Sequence, residues 1–437
     1  MISGAAGAAA AHIDSRDGAL RSRRFAVALA AISLLGLGLR AWQLPGQRVF
    51  ADDACVGVSS VNFVERGFLG PTMWQHPHAR DLLVHASVRA LGDTKLGLTF
   101  FSLAFGTLSV TLLGLATLRL LGRADAALIA ALLLAIDSLH IDYSRQGVHE
   151  AYMPFFTLAG LWLALEFARR DRPGWLVAAG AALGLGLASK WYVAFPLAVI
   201  AAALAARLVR GPADRREVPQ RLAFLCAALF LLPAAIYLAS FYPWFARGHG
   251  LAEWLDLQQS MLHEVQTHRG FNPYLPTIDH RAWLWFLRPV YYVDVGFGPG
   301  DPVLLIAITN PFVWLLTLPA VASLAYRARQ DGLWSQRVLL ALFVSSYLPF
   351  LLTPRPIWAH TAFAVLPFAL MAIAQLLADL AAGGRLRRRL LVAYLAAASA
   401  CAAPLYLLAV GKGLEIAPLR PIVELFRPPE ERVAPPR

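Results

Sequence analysis

The sequence predicts an all-α, polytopic membrane protein with about eleven transmembrane helices, and three observations carry that prediction. Of 437 residues, 58% are hydrophobic and only 15% are charged, a balance foreign to a water-soluble domain. Many apolar runs reach the ~20 residues that a helix needs to cross a bilayer. The formal charge of +12 is also unevenly placed. Threaded in order, the chain puts the whole excess on one face, in tracts such as Arg169-Arg170-Asp171-Arg172 and Arg387-Arg388-Arg389, and leaves the other face neutral. That is the positive-inside pattern, and it removes nucleic acid as the partner of the basic residues.

Residues 1–24 are small and polar and end in Arg21, Arg23 and Arg24. The apolar run that follows resembles a signal-peptide core, but Leu39-Arg40-Ala41-Trp42 offers no small-residue cleavage site, so it reads as an uncleaved first helix with a cytoplasmic N-terminus. Spans are expected near 25–42, 94–118, 124–139, 151–168, 173–189, 191–208, 221–241, 302–326, 336–353, 357–380 and 389–410, which leaves the C-terminus outside. The fifth and sixth are joined tightly at Ser189-Lys190-Trp191. No linker or internal repeat divides the chain, so residues 1–437 read as one integral domain. Cys55, Cys226 and Cys401 fit neither a metal site nor a disulfide framework.

The outer face differs in kind from the inner one. Its long loops, 43–93 and 242–301, mix both signs of charge with His, Trp, Tyr and Pro. Within the first, 58–64 and 82–91 read as short amphipathic stretches. Ionisable clusters near membrane depth are functional by default, although a solvated turn or a transporter's decorated surface is the plainer alternative.

Two adjacent carboxylates, Asp52 and Asp53, directly follow the first span. A carboxylate held against an apolar surface has its charged form disfavoured, which moves it toward a useful general base. Next comes His76-Pro77-His78-Ala79-Arg80-Asp81. Arg145, Glu150 and Lys190 supply charge between spans, and Arg288, Tyr291, Arg355 and His360 follow later. Cations at headgroup depth suit a lipid phosphate, with Arg as a fork and Lys as a point charge; for Lys190 the plainer reading is a snorkelling side chain. No metal-ligand spacing stands out, and a divalent ion shared between Asp53 and a phosphate is the one metal option left open.

At these residues the chain resembles the protein O-mannosyltransferase family (glycosyltransferase family 39), which belongs to the GT-C class. Asp52-Asp53-Ala54-Cys55-Val56-Gly57 stands where the family has D-E-x-H-F-G, and His76-Pro77-His78-Ala79-Arg80 where it has H-P-P-L-x-K. Arg145 with His149-Glu150 matches its Arg and Leu-Asp, and Gly186-Leu187-Ala188-Ser189-Lys190-Trp191 matches its G-L-x-x-x-S-K-W with one shorter spacing. Leu257-Gln258, His263, Asn272-Pro273-Tyr274, Trp283 to Tyr291, and Asn310-Pro311-Phe312 extend the likeness toward the C-terminus. The departures are Asp53 for Glu, Cys55 for His, His78 for Pro, and His149-Glu150 for Leu-Asp.

The resemblance implies a GT-C fold and an inverting transfer of a sugar, mannose first, from a polyprenyl-phosphate donor to an acceptor hydroxyl. It implies Asp52 or Asp53 as base, with Arg145, Lys190 and Arg288 on the donor phosphate. His76, His78, Arg80, Glu150, Tyr291, Arg355 and His360 would line the acceptor or donor side. The acceptor is expected to be protein Ser or Thr, with a lipid acceptor, as in aminoarabinose transfer to lipid A, as the alternative. A transporter or flippase of a lipid-linked sugar is the rival from another class. The expected location is a bacterial inner membrane, with the site on the periplasmic or outer face.

Overall fold

The first apolar run becomes α1 (Arg23–Ala41), and the carboxylates after it start a second helix, α2 (Ala51–Arg66). The computed structural model describes residues 18, 22–70, 72–211, 215–267, 286, 291–296, 303–352, 359–413 and 415–425. α3 (Ala79–Leu91) packs on α2 and on the long α4 (Lys95–Leu121), so the first loop is largely helical. These helices absorb the amphipathic stretches expected at 58–64 and 82–91. Gly67 closes α2 at φ 64°, a left-handed conformation that a side chain would strain.

Then come α5 (Ala124–Ala135), α6 (Ser138–Tyr143), α7 (Tyr152–Arg170), α8 (Pro173–Leu187) and α9 (Ala194–Arg210). α10 (Val218–Cys226) runs through a π turn at Ala227–Leu231 into α11 (Leu232–Ala239), where Pro233 lacks the N–H that regular helix would use. The π turn lies against α8 so closely that a Cβ on Gly180 would stand 1.8 Å from the Ala228 carbonyl oxygen. α12 (Tyr242–Phe245) and α13 (Leu251–Thr267) follow.

The expected span at 302–326 is corrected. Val303–Ile308 is a strand, β2, paired antiparallel with β1 (Tyr291–Gly296), with Tyr291 opposite Ile308. Leu304, Leu305, Ile306 and Ala307 are all buried, so both strand faces are apolar and no alternation marks the strand in the sequence. Helix begins only at α14 (Pro311–Trp314), where the Asn310 side chain accepts from Phe312 N–H and Pro311 takes the first position. α15 (Thr317–Gln330), α16 (Trp334–Leu351), α17 (Leu366–Ala381), α18 (Arg385–Ala409) and the short α19 (Arg420–Leu425) are the remaining helices among the described residues. The span expected at 357–380 thus starts later, after a 3-10 turn at Ala359–Ala364.

Among the described residues, seven helical stretches are long and apolar enough to cross a membrane, and α5, α8 and α17 are shorter apolar helices. α5 and α17 pack on each other and are apolar around most of their circumference, which marks them as the bundle's centre. At one end of the bundle, Glu166 on α7 accepts from Arg119 of α4 (2.5 Å), Arg169 and Arg170. The other end carries Asp52, Lys95, His149 and Lys190.

Candidate active site

Asp52 and Asp53 occupy the first turn of α2, where the exposed backbone N–H groups favour negative charge. Their surroundings differ. Asp53 is fully buried; its Oδ2 accepts from Phe50 N–H at 3.1 Å and its Oδ1 from Gly147 N–H at 2.7 Å. The Lys95 ammonium completes the set with an ion pair to Oδ2 and lies 5.0 Å from the Phe50 ring centre. Asp53 therefore ties α2 to the start of α4 and to the segment after α6. Asp52, one position earlier on the helix, is only half-buried.

The second cluster is built on Asp81. Its carboxylate accepts from Ser59 Oγ (3.2 Å), Ser60 Oγ (3.1 Å), His78 Nδ1 (2.8 Å) and Arg80 Nη2 (2.6 Å). Burial alone would raise its pKa, but the Arg80 charge and the His78 hydrogen bond outweigh burial and hold it at about 2. His78 is stacked on Phe63 with ring centres 4.2 Å apart and meets Phe241 edge-on at 5.2 Å. His76 stands edge-on to His149 at 4.3 Å, and burial followed by the neighbouring Lys190 and Arg80 charges keeps its pKa well below the usual imidazole value.

His149 joins this cluster to the third. Its Nδ1 lies 3.0 Å from Arg80 Nη1 and its Nε2 lies 2.5 Å from Lys190 Nζ. A neutral imidazole has one acceptor nitrogen, whereas both of these neighbours are cationic donors. The centre is therefore oversupplied with donors, an environment suited to an anion. Lys190 also donates to Glu150 Oε1 at 2.9 Å, and His360 Nε2 stands 3.8 Å from the same oxygen. The backbone sets Lys190 in place: α8 ends as Ser189 and Lys190 N–H both return to Gly186 O, and Ala79 N–H, at the start of α3, donates to Ala188 O at 2.9 Å.

The clusters are close. Gly147 touches Asp53, and His149, two residues on, touches Lys190 and Arg80. Two residues of chain reach at most about 7 Å, so one short segment carries both the carboxylate and the cation contacts.

Arg145 faces elsewhere. Its Nη1 donates to the Arg40 and Trp42 carbonyls at 2.7 and 2.9 Å and its Nη2 to Gln47 Oε1 at 3.1 Å, so it fastens the chain after α1. Beside it, burial pushes the Asp142 carboxyl up to about 7. Arg288 and Arg355 lie outside the described residues; Tyr291 is described only as backbone in β1. Thus His76, His78, Arg80, Glu150, Lys190 and His360 are brought together, Asp53 is linked to them through the 147–149 segment with Asp52 preceding it on α2, and Arg145 joins a separate network. Among the described residues, no group of three or more His, Cys, Asp or Glu side chains is arranged to hold a metal ion.

Sequence reasoning missed Lys95, Asp81 and the bridging position of His149. Lys95 carried a signal, as a cation at the head of an otherwise apolar helix. Asp81 carried one as well, in the neighbouring His78 and Arg80, whereas His149 did not, because Arg80 and Lys190 lie 69 and 41 residues away along the chain.

The family model described as dolichyl-phosphate-mannose-protein mannosyltransferase matches residues 69–247. The polyprenol-phosphate-mannose–protein mannosyltransferase of Mycolicibacterium smegmatis is 25% identical over 367 residues, 70% of this chain and 71% of that protein. The Mycobacterium tuberculosis protein of the same name is 26% identical over 372 residues, covering 70% of each. Among solved structures, the S. cerevisiae protein O-mannosyltransferase Pmt1-Pmt2 complex bound to the sugar donor matches with a TM-score of 0.75 at 12% identity, over 90% of this chain and 91% of that one. ArnT from Cupriavidus metallidurans bound to undecaprenyl phosphate matches with a TM-score of 0.56 at 14% identity, over 94% and 82%. The structural likenesses show a shared GT-C fold.

Proposed function

We propose that this chain, a membrane glycosyltransferase related to the protein O-mannosyltransferases, moves mannose from a polyprenyl-phosphate donor to a Ser or Thr hydroxyl of a protein. The observation that supports this most is the donor-rich centre of Lys190, His149 and Arg80, one short segment away from the helix that carries Asp52. A lipid-linked phosphate fits there: it would accept from Lys190 and Arg80 and relieve the crowding of donors on His149.

Asp52 is the base in this reading. Asp53 is fully buried and held by Phe50, Gly147 and Lys95, whereas Asp52, the preceding residue on α2, is only half-buried and so accessible to an acceptor. The acceptor hydroxyl attacks the anomeric carbon from the face opposite the phosphate and gives its proton to Asp52. The sugar–phosphate bond breaks, its electron pair stays on the phosphate oxygen, and the cations stabilise that charge. Configuration at the anomeric carbon inverts. Holding donor and acceptor together makes the attack effectively unimolecular.

Arg145 supports the loop after α1, and Arg288 is the remaining candidate for the phosphate. Tyr291, Arg355, His360, His76, His78 and Glu150 are assigned to the donor or acceptor walls. The charge asymmetry supports an eleven-span, N-in arrangement of one integral domain, with the site on the outer, periplasmic face of a bacterial inner membrane.

The test uses purified protein in lipid, polyprenyl-phosphate mannose and a Ser/Thr-rich peptide, read by mass spectrometry. Hexose on the peptide that falls about 10²- to 10⁴-fold in Asp52→Asn, with donor binding retained, supports the assignment. Donor consumption without peptide modification moves the acceptor to a lipid. Donor that binds but is never consumed moves the chain to transport.

A further inference from the structure

α13 is held to the bundle by a narrow seam. Of its residues only Met261 is fully buried; Trp254, Leu257 and Gln258 share that face, while Leu251, Leu255 and Leu262 are exposed. The seam rests on Tyr237 and Phe241 at the end of α11, with Trp254 edge-on to both at 6.1 and 5.9 Å. Two polar atoms within it, Trp254 Nε1 and Gln258 Nε2, are buried without a hydrogen-bond partner, so the docking is incomplete.

One hydrogen-bond chain crosses the seam. Trp191 Nε1–H donates to the Tyr237 hydroxyl at 2.8 Å, and that hydroxyl donates to Gln258 Oε1 at 2.5 Å. Trp191 directly follows Lys190. On the other side of the seam, Phe241 touches the ring of His78, which is bonded to Asp81 and through it to Arg80. A shift of α13 is therefore felt on both sides of His149.

We propose that Tyr237 is a positioning residue whose hydroxyl fastens α13 over the Lys190 hairpin, so that docking of this helix sets the phosphate-binding cations and excludes water from the donor. This rests on the proposed transferase reading. When α13 lifts, water replaces the acceptor hydroxyl: its oxygen bonds to the anomeric carbon, its proton goes to Asp52, and the polyprenyl phosphate leaves as before.

Tyr237→Phe keeps the ring in the seam and deletes both hydrogen bonds. Three readouts are compared with the wild type in lipid: amide hydrogen exchange along α13, KM for polyprenyl-phosphate mannose, and donor hydrolysis without acceptor peptide. Exchange in α13 is expected to rise roughly tenfold while α4 and α5 stay protected. Donor KM and the ratio of hydrolysis to transfer should rise with it. Gln258→Leu should behave likewise, and Gln258→Glu, which keeps an acceptor oxygen, should restore protection. Unchanged exchange in both Tyr237→Phe and Gln258→Leu overturns the fastening. Faster exchange with an unchanged KM and hydrolysis ratio overturns the coupling to the cations. If even the wild type turns over no mannose donor, the transferase reading fails, while the exchange data still decide whether Tyr237 holds α13.

Discussion

Lys95→Met isolates the ion pair that fixes the start of α2. The Lys95 and Asp53 side chains are 2% and 0% exposed, so neither charge can turn to solvent when its partner is removed. Met keeps most of the stem packed beside Phe50 and deletes only the ammonium. A buried ion left alone costs about 3–5 kcal/mol. The two backbone N–H groups from Phe50 and Gly147 remain on Asp53 and temper that cost, so the lower end, about 3 kcal/mol, is expected. Adding Asp53→Asn removes the stranded charge while the amide oxygen still accepts from Gly147. The double variant should therefore recover about 2 kcal/mol relative to the sum of the single changes. The assay is denaturant or thermal unfolding in detergent, followed by the folded fraction on size-exclusion chromatography. Two results would refute the reasoning: Lys95→Met within about 0.5 kcal/mol of wild type, or losses that simply add in the double variant.

Gly180→Ala should destabilise by about 1–3 kcal/mol, since its Cβ would overlap a backbone oxygen that no rotamer change can move; Gly174→Ala, with open space, serves as the neutral control in the same unfolding assay. Acid should weaken the site end before it protonates Asp81. His76 is half-buried among Lys190, Arg80, His360, His78 and His149 and has a depressed pKa, so the unfolded chain binds its proton first. Its contribution is present above the unfolded value of 6.5 and is lost as pH falls below it, by up to about 1.4 kcal/mol per pH unit. Asp81, held at about 2 against a usual 3.8, does not titrate in that window. A stability-versus-pH slope between pH 6 and about 4.5 that His76→Phe leaves unchanged would assign the loss elsewhere.

Nine of the expected spans coincide with helices and 357–380 differs only in starting later, because a run of apolar residues is a local signal, read without knowledge of what it packs against. The exception, 302–326, fails for the same reason: the Val303–Ile308 run is as apolar as a helix start, and only its pairing with Tyr291–Gly296 makes it a strand. The polar clusters show the limit from the other side. That polar clusters form at Asp52-Asp53 and His76–Asp81 was legible from their density of charge near a membrane-length run. The division of labour was not, because Asp53 finds Lys95 and Gly147 across 42 and 94 residues of chain. Arg145 looked like a phosphate ligand for the same reason: nothing near it in sequence reveals that its donors return to Arg40, Trp42 and Gln47, about one hundred residues earlier.

Arg40 gives the fold a sense of time. It sits fully buried at the end of α1, and its guanidinium donates to the Leu134 and Ala135 carbonyls, contacts His140 Nδ1, and reaches Ser144. One further bond goes back to Gly36 within its own helix. Every other acceptor lies 94 to 104 residues downstream. While the ribosome is making α2, α3 and α4, the first helix thus carries a charge whose permanent partners do not yet exist. Water or lipid headgroups must hold it until α5 and α6 emerge. This end of the bundle consequently closes late, around an arginine inserted early. The segment that then closes it, 134–145, leads directly into Gly147 and His149, so the last part of this end to settle is also the part that joins Asp53 to the Arg80 and Lys190 cations.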